Sequence, residues 1–420
     1  MRPDNERVID VRSEIGELEG VILHTPGPEV ENMTPKNAER ALYSDILNLA
    51  VASSEYNEFK GALNKITKTY EVADLLKTVV GDEKDKEELV SKIVENENVP
   101  QIKDLLMDMS DAELSKALLE GVSMRKNTLT NFLSKERYIL RPLHNFFFTR
   151  DASISVRNKV LIGRMANMVR EREAIIMESI FNHNPLFDTT TVNPMDAKDV
   201  TDISIEGGDV LIARDDILCI GLSPRTTSQG IDFIVDQLKA QGEKRHILVQ
   251  ELPSSPESFI HLDMVFTFLD TDKCMIYEPV VMEPNRFKTI HIDIDNGKVA
   301  INEELNLLAG LKKLGMDLEP VYCGGSADVW TQEREQWHSG ANFFALGPGK
   351  VIGYGRNVYT IEELSKNGFE VLKAKDIVRG ITDPAEYDKY VITIHGSELS
   401  RGGGGCRCMT MPVKRKQVNW

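Results

Sequence analysis

Between about residue 35 and residue 136, apolar side chains recur at helical spacing among Leu, Ala, Lys, Glu and Asp. This spacing predicts nearly continuous helices. Thr34-Pro35 and Ser110-Asp111 each stand where a helix should begin, because Ser and Thr cap helices and Pro is tolerated in the first turn. The most charged part starts near Glu71, and this pattern predicts a helical insertion with its charged face in solvent.

From Tyr138 onward the pattern changes to short apolar runs separated by turns and single helices. Four pairs of runs, each joined by a polar or Gly-rich turn, follow Asp151, Asp209, Asp263 and Asn342. Such pairs predict antiparallel hairpins, and the helices behind some of them make the repeating element a small α/β module. We expect the C-terminal segment VITIHGSELSRGGGGCRCMTMPVKR to supply a fifth module, with the N-terminal LEGVILHTPG closing a ring.

Modules repeated around an axis would bring the polar residue before each hairpin to one place. Those residues are Asp151, Asp209, Asp263 and Asn342. Because crowded carboxylates are costly unless something cationic neutralises them, the pattern hints at a buried site for a cation.

Composition narrows the classes of function. The chain has 420 residues, 41% of them hydrophobic, which is ample for a large core. A net charge of -16 makes nucleic acid and an anionic membrane unlikely partners, because no basic surface is available. The N-terminus lacks a signal-like apolar stretch, and no run of about 18 apolar residues occurs, so we expect a cytoplasmic protein with five reduced cysteines.

The most distinctive local feature of the sequence is the run Gly402–Gly405, followed by Cys406-Arg407-Cys408. Successive glycines suit a chain that passes close to a ligand while presenting the next side chain. No second cysteine pair accompanies these two, which disfavours zinc, and the spacing disfavours a redox pair. A nucleophilic thiol that works with a distant His is the better interpretation.

Two further motifs carry candidate chemistry, and each also has a plain structural explanation. Strand alternation would direct His261 and Asp263 to the same face, although His261 could simply complete the end of a strand. Glu206-Gly207-Gly208-Asp209 allows a tight turn that brings a carboxylate close to a ligand, although it could be an ordinary Gly-rich turn.

Six segments in this order resemble those of bacterial arginine deiminases and together span nearly the whole chain: SEIGELEGVILHTPGPEVENMTP, NFFFTRD, IEGGD, HLDMVFT, REQWHSGAN and GGGGCRCMTMP. The resemblance implies an α/β fold, a five-bladed pseudo-symmetric α/β propeller with an inserted helical domain. It implies that residues 1–70 form the N-terminal part of the catalytic propeller, residues 71–137 the inserted helical domain, and residues 138–420 the remainder of the propeller.

The same resemblance assigns roles to single residues. By position in the motifs, the catalytic set comprises a nucleophile, an acid/base, its carboxylate partner and two carboxylates that grip the guanidinium: Cys408, His261, Glu206, Asp151 and Asp263. The substrate-binding set comprises two contact residues and two arginines for the α-carboxylate: Asn145, Phe148, Arg170 and Arg225. One position departs from the family, which often has Arg where this chain has Gly403; Arg401 stands two residues earlier.

The resemblance implies hydrolysis of free L-arginine to L-citrulline and ammonia through a covalent cysteine thiouronium intermediate. We expect no metal and no organic cofactor. We expect a homo-oligomer, either a dimer or a tetramer. The alternatives are an amidinotransferase or a hydrolase of modified arginine with the same fold, and a non-catalytic arginine-binding propeller. Loss of Cys408, His261 or Glu206 would mark the non-catalytic protein, and all three are present.

Overall fold

The computed structural model describes residues 8–34, 38, 43, 45–187, 189–196, 202–326 and 328–420. Its strands, in chain order, are β1 Leu18–Leu23, β2 Lys68–Glu71, β3 Val122–Ser123, β4 Tyr138–Leu140, β5 Ser153–Val156, β6 Lys159–Ile162, β7 Thr190–Val192, β8 Val210–Arg214, β9 Ile217–Leu222, β10 Arg245–Glu251, β11 Phe266–Phe268, β12 Lys273–Ile276, β13 Thr289–Asp295, β14 Lys298–Glu304, β15 Glu319–Tyr322, β16 Phe344–Gly347, β17 Lys350–Tyr354, β18 Glu370–Lys373, β19 Tyr390–Ile394 and β20 Met411–Arg415.

The α-helices are Pro28–Glu31, Leu49–Ile66, Val72–Val79, Glu83–Asn96, Lys103–Met107, Asp111–Glu120, Leu129–Leu133, Glu171–His183, Ser228–Lys239, Glu278–Val281, Leu307–Lys313, Val329–Trp337, Val358–Lys366 and Ala374–Val378. No helix in the described ranges is both long and apolar enough to cross a membrane.

One three-stranded arrangement recurs along the chain. In four places an antiparallel hairpin forms where the sequence predicts it: β5–β6, β8–β9, β11–β12 and β16–β17. The second strand of each hairpin then pairs in parallel with a later strand: β7, β10, β15 and β19 respectively. A parallel neighbour requires a crossover, which in each case includes a helix.

The two ends of the chain form a fifth arrangement of the same kind. Strand β20 pairs antiparallel with β1, and β1 pairs in parallel with β2 after the helix Leu49–Ile66. The expectation that Val391–Ile394 belongs to the fifth module is wrong. Those residues lie in β19, which is the parallel partner of β17 and therefore completes the fourth module.

Most residues from Leu49 to Leu133 lie in helices, but the prediction of nearly continuous helices is wrong in detail. Strand β2 interrupts it because its backbone pairs with β1, and β3 pairs with β4 near the other end. The helix Asp111–Glu120 begins as predicted, with Ser110 and Glu113 forming a capping box. The other predicted helix start, Thr34-Pro35, includes Pro35, which lies outside the described residues.

These helices share a core with the first module. Buried side chains such as Leu76, Val90 and Leu118 pack in one cluster with Ile180 and Phe181 of the helix Glu171–His183. In the second module, Ile234 packs in the same way against a sheet. Helix and sheet thus form the layers of an α/β fold, and the polar residues before each hairpin lie at one end of it.

Candidate active site

Cys408 lies just before β20, which is the position that Asp151, Asp263 and Asn342 occupy before the first strands of their own modules. Its side chain is buried. Asn342 fixes the backbone here, because its Oδ1 accepts hydrogen bonds from the backbone N–H groups of Arg407 at 2.9 Å and of Cys408 at 3.3 Å. The hairpin geometry therefore presents the Cys408 thiol at the point where the modules meet.

Asp263 is the carboxylate nearest to the thiol. Its Oδ2 lies 3.8 Å from Sγ of Cys408 and accepts a hydrogen bond from Nη1 of Arg407 at 2.8 Å. Arg407 is itself buried and donates from Nε and Nη2 to Glu14, each at 3.0 Å. A chain of buried charges, Glu14–Arg407–Asp263, therefore stands beside the nucleophile candidate.

Asp151 is arranged in the same way in the first module. Nη1 of Arg170 donates to its Oδ2 at 2.6 Å, while Nη2 of Arg170 donates to Glu173 at 2.7 Å. Burial would raise the pKa of Asp151, but Arg170 and the nearby His261 hold that pKa below its ordinary value. Asp151 is therefore ionised at neutral pH.

His261 stands between two carboxylates. Its Nε2 lies 2.9 Å from Oε2 of Glu206, and its Nδ1 lies 3.8 Å from Oδ1 of Asp151. Burial alone would lower the pKa of His261, but Asp151 and Glu206 together raise it to about 9. Burial would also raise the pKa of Glu206. The hydrogen bond from His261 outweighs the effect of burial and lowers this pKa. The pair is a charged imidazolium beside a carboxylate.

His261 and Asp263 do not lie in a strand, so the prediction based on strand alternation is wrong. His261 is extended, and Leu262–Met264 forms a 3-10 turn ahead of β11. Oδ1 of Asp209 accepts from the backbone N–H of Leu262 at 2.9 Å, which anchors this turn. The two side chains nevertheless reach the same site, because the turn directs His261 toward Asp151 and Asp263 toward Cys408.

The paired glycines after Glu206 permit a close approach of two segments. A Cβ on Gly208 would lie 2.4 Å from Nδ1 of His261, and a Cβ on Gly207 would lie 2.0 Å from the backbone oxygen of Arg150. Neither distance is possible without displacement. Gly207-Gly208 is thus part of the packing that places the imidazole.

A cavity opens over these groups, and the Gly-rich segment forms one of its walls. Gly404 passes so close to Phe148 that a Cβ would lie 2.6 Å from its ring. The cavity is lined by Asn145, Phe148, Asp151, Arg170, Arg225, Ile260, His261, Gly402, Gly403, Gly404 and Cys408. Glu206 and Asp263 stand behind this lining, in contact with His261 and Cys408. The nine predicted site residues are therefore brought together in one place.

The two predicted carboxylate-binding arginines differ in their surroundings. Arg170 is buried and already bonded to Asp151 and Glu173. Arg225 is only part-buried, and the nearest carboxylate oxygen, on Glu206, lies 3.8 Å from its Nη1. Arg225 is therefore the better placed of the two to bind an added anion.

Gly403, where the resemblance would favour Arg, has a φ of 83° and open space where a Cβ would be. Arg401 does not take its place in the cavity wall. Arg401 instead pairs with Asp45 and Glu398 on the surface.

Each of the two central carboxylates has one oxygen to spare. Oδ1 of Asp151 and Oδ1 of Asp263 are buried and have no hydrogen-bond partner among the described residues. Burial raises the pKa of the Cys408 thiol well above its ordinary value, and the charges of Asp263 and Asp151 raise it further. Two free acceptors beside a neutral thiol suit a cation with several N–H donors, such as a guanidinium.

Asp151, Glu206 and His261 also offer ligand atoms close enough together to hold a metal ion. Their neighbours argue for a different cation. The raised pKa of His261 keeps a proton on the imidazole, and a metal ion would have to displace that proton.

Three residues of the site were not predicted: Arg407, Glu14 and Glu173. Arg407 stands between the two cysteines of the motif, and a charge there gives no sign of being buried. Its partner Glu14 lies 393 positions away in sequence, so no local pattern could have joined them.

The chain is similar over nearly its whole length to proteins of one known family. The profile of the arginine deiminase family matches residues 39–415. An arginine deiminase of Bacillus cereus (strain ATCC 10987 / NRS 248) is 34% identical over 432 aligned residues, covering 98% of this chain and 99% of the relative. The arginine deiminase of Mycoplasma capricolum is 32% identical over 424 residues, covering 98% of each.

Solved structures with low sequence identity share the fold. A complex of dimethylarginine dimethylaminohydrolase from Pseudomonas aeruginosa with citrulline has a TM-score of 0.51 at 14% identity, covering 94% of this chain and 99% of that one. An amidinotransferase from Microseira wollei has a TM-score of 0.52 at 14% identity and covers 98% of both chains.

Proposed function

The chain belongs to the arginine deiminase family, and we propose that it hydrolyses free L-arginine to L-citrulline and ammonia in the cavity above Cys408. The observation that carries this proposal is the pair of buried oxygens, Oδ1 of Asp151 and Oδ1 of Asp263, that lack a hydrogen-bond partner in the described structure. A guanidinium would supply N–H donors to both oxygens and a positive charge to both carboxylates.

Arg170 and Arg407 prepare these carboxylates. Each arginine occupies one oxygen, which fixes the orientation of the other. The substrate guanidinium is then held with its plane set by Asp151 and Asp263 and its carbon near Sγ of Cys408. Asn145 and Phe148 would line the path of the substrate side chain. Of the two arginines proposed for the α-carboxylate, Arg225 is the better placed, because Arg170 is already held by Asp151 and Glu173.

Bound substrate activates the nucleophile. Its positive charge offsets the carboxylates that raise the pKa of Cys408, so the thiol releases its proton to water. The thiolate attacks the guanidinium carbon, and protonated His261 gives its proton to the departing amino group, which leaves as ammonia. The product of this half-reaction is an S-alkylthiouronium on Cys408.

Hydrolysis completes the cycle. His261, now neutral and oriented by Glu206, takes a proton from a water molecule that attacks the same carbon. As the carbon–sulfur bond breaks, the hydroxyl that came from water gives its proton to the departing sulfur, L-citrulline is released, and the neutral thiol and the imidazolium are restored.

We propose further that the five repeated sheets are blades of a pseudo-symmetric propeller. Residues 1–70 and 138–420 would form it, with residues 71–137 inserted. The recurrence of one strand arrangement five times supports this assignment. A cytoplasmic location is also proposed, which five free cysteines support.

Mass-resolved product analysis after incubation with L-arginine tests the function. Citrulline and ammonia in equal amounts are expected from the parent protein. The Cys408→Ser variant should give none, and the matched variant Cys406→Ser should retain most of the turnover. Ornithine formed only when a second amine is present would instead identify an amidinotransferase, and efficient use of agmatine would exclude specificity for the free amino acid.

A further inference from the structure

Asp209 differs from the two other aspartates that precede a hairpin. Asp151 and Asp263 each hold an arginine with one oxygen and leave the other oxygen without a hydrogen-bond partner among the described residues. Both oxygens of Asp209 are occupied, and no lysine, arginine or histidine nitrogen in the described ranges lies within 4.0 Å of them. Asp209 is completely buried and is absent from the lining of the cavity. Its task is therefore not to bind the guanidinium.

The hydrogen-bond partners of Asp209 all donate to it. Its Oδ1 accepts from the backbone N–H of Leu262 at 2.9 Å, and its Oδ2 accepts from the hydroxyl of Ser223 at 2.6 Å. The Ser223 oxygen already accepts from the backbone N–H groups of Arg225 at 2.9 Å and of Thr226 at 3.2 Å, so its one hydrogen is directed at Asp209. A carboxylate offers an acceptor on both sides, whereas a carboxylic acid or an amide would turn a hydrogen toward a donor. The surroundings thus fit the ionised form.

These hydrogen bonds join three segments of the site. The bonded N–H belongs to the residue that follows His261, and the bonded serine fastens the loop that carries Arg225. Thr226 also bonds to Asp209 through its hydroxyl, whose oxygen accepts from the backbone N–H of Glu206 at 3.2 Å. One buried carboxylate therefore connects the acid/base candidate, its carboxylate partner and the arginine expected to bind the α-carboxylate.

The charge of Asp209 also acts on His261. Burial lowers the pKa of the imidazole, and the carboxylates of Asp151, Glu206 and Asp209 together raise it. Each of the other two carboxylates has an arginine within 4.0 Å, whereas Asp209 has no such cation. Burial raises the pKa of Asp209 to about 7, and the charge of His261 opposes that rise. The imidazolium and Asp209 therefore stabilise each other's charged forms.

We propose that Asp209, as an ionised carboxylate, is a positioning residue that fixes the loop of Arg225 relative to the turn of His261. Arg225 is assigned to the α-carboxylate of L-arginine and His261 to the departing amino group, and in this respect the proposal rests on the proposed function. Asp209 then sets the distance between the groups that hold the two ends of the substrate. It acts through these residues and touches no substrate atom.

Binding to the Cys408→Ser protein, measured by isothermal titration calorimetry, tests the link to Arg225 without turnover. Asp209→Asn turns an N–H toward the hydroxyl of Ser223, and Ser223→Ala removes that hydroxyl. Each change should raise the dissociation constant of L-arginine about tenfold, because the loop loses its fastening. The dissociation constant of agmatine, which lacks the α-carboxylate, should change less than about twofold. Asp232→Asn, which alters an exposed aspartate in the helix of the same module, is the matched control.

The pH dependence of kcat tests the effect on His261. In the parent, activity should fall above about pH 9, where the imidazole loses its proton. In Asp209→Asn this fall should begin about one pH unit lower, because one negative neighbour is gone. Ser223→Ala keeps the charge of Asp209 and should therefore keep the parent's profile at high pH.

An unchanged dissociation constant of L-arginine in either variant would overturn the proposal, and so would an equal weakening of agmatine binding. An unmoved alkaline limb in Asp209→Asn would overturn it as well. Ser223→Ala leaves every charge in place, so it decides the link to Arg225 even if Asp209→Asn does not fold. Failure of the proposed function gives a different result. L-arginine bound by Cys408→Ser, with no citrulline from the parent, would refute hydrolysis and leave the binding result for Ser223→Ala standing.

Discussion

Replacing Arg407 with Met should destabilise the protein strongly at neutral pH. Arg407 pairs with Glu14 and Asp263, and all three side chains are buried. Removing one partner from a buried ion pair typically costs about 3–5 kcal/mol, because the remaining charge is left uncompensated. Burial would raise the pKa of Glu14, yet the charges of Arg407, Arg150 and Arg415 bring it down from 4.5 to about 2. A lowered pKa means that these cations stabilise the ionised carboxylate in the folded chain.

The pH dependence of this loss follows from the lowered pKa of Glu14. Its contribution to stability is fully present above about pH 4.5 and disappears as the pH falls toward 2. The parent loses this contribution in acid, whereas Arg407→Met lacks it throughout. The difference in the free energy of unfolding between parent and variant should therefore be largest near pH 7 and should narrow below pH 4.5.

Urea unfolding followed by far-ultraviolet circular dichroism at pH 7 and pH 4 measures this difference. Arg407→Lys keeps the charge without the two-pronged geometry and should fall between the parent and Arg407→Met. Glu14→Gln/Arg407→Met removes one of the uncompensated charges and should recover part of the loss. A difference below about 1 kcal/mol at pH 7, or one that grows in acid, would refute the reasoning.

Three further predictions concern catalysis and are checked by steady-state kinetics. Gly208→Ala should lower kcat about a hundredfold, because its Cβ would displace His261. The control Gly347→Ala should behave like the parent, because its Cβ would meet nothing nearer than 3.6 Å. Equal effects of the two substitutions would contradict this packing. Activity should fall as the pH rises through about 9, where His261 loses the proton that it donates, and a profile still rising above that pH would exclude His261 as the acid. Arg225→Ala should chiefly raise KM, whereas Arg170→Ala should also lower kcat because Asp151 and Glu173 lose their cation; indistinguishable variants would show that Arg170 has no second role.

Local patterns predicted the parts of the fold that depend on local interactions. The four hairpins follow from alternating apolar runs with a turn between them, and Ser110 caps its helix through residues within one turn. Strand β2 could not be predicted, because its four residues lie between helices and form a strand only through pairing with β1. The placement of Val391–Ile394 in the wrong module has the same cause, since β19 is defined by its distant partner β17.

In the candidate site, too, local motifs could be predicted from the sequence and long-range contacts could not. Cys408, His261, Glu206, Asp151 and Asp263 could be named because their motifs resemble those of a known family. What holds them could not be predicted, because Arg407 and Glu14 meet only in the folded chain. The turn at Leu262–Met264 was also missed, since its anchor, Asp209, lies in another module.

Trapping the covalent intermediate tests the central claim most directly. The parent protein is mixed with L-arginine, quenched in acid within one turnover, digested and examined by mass spectrometry. We predict an adduct with the mass of arginine less ammonia on the peptide that contains Cys408, assigned to that residue by fragmentation and absent from Cys408→Ser. Citrulline formation with the adduct on Cys406 would contradict the account. Undiminished citrulline formation by Cys408→Ser would contradict it as well.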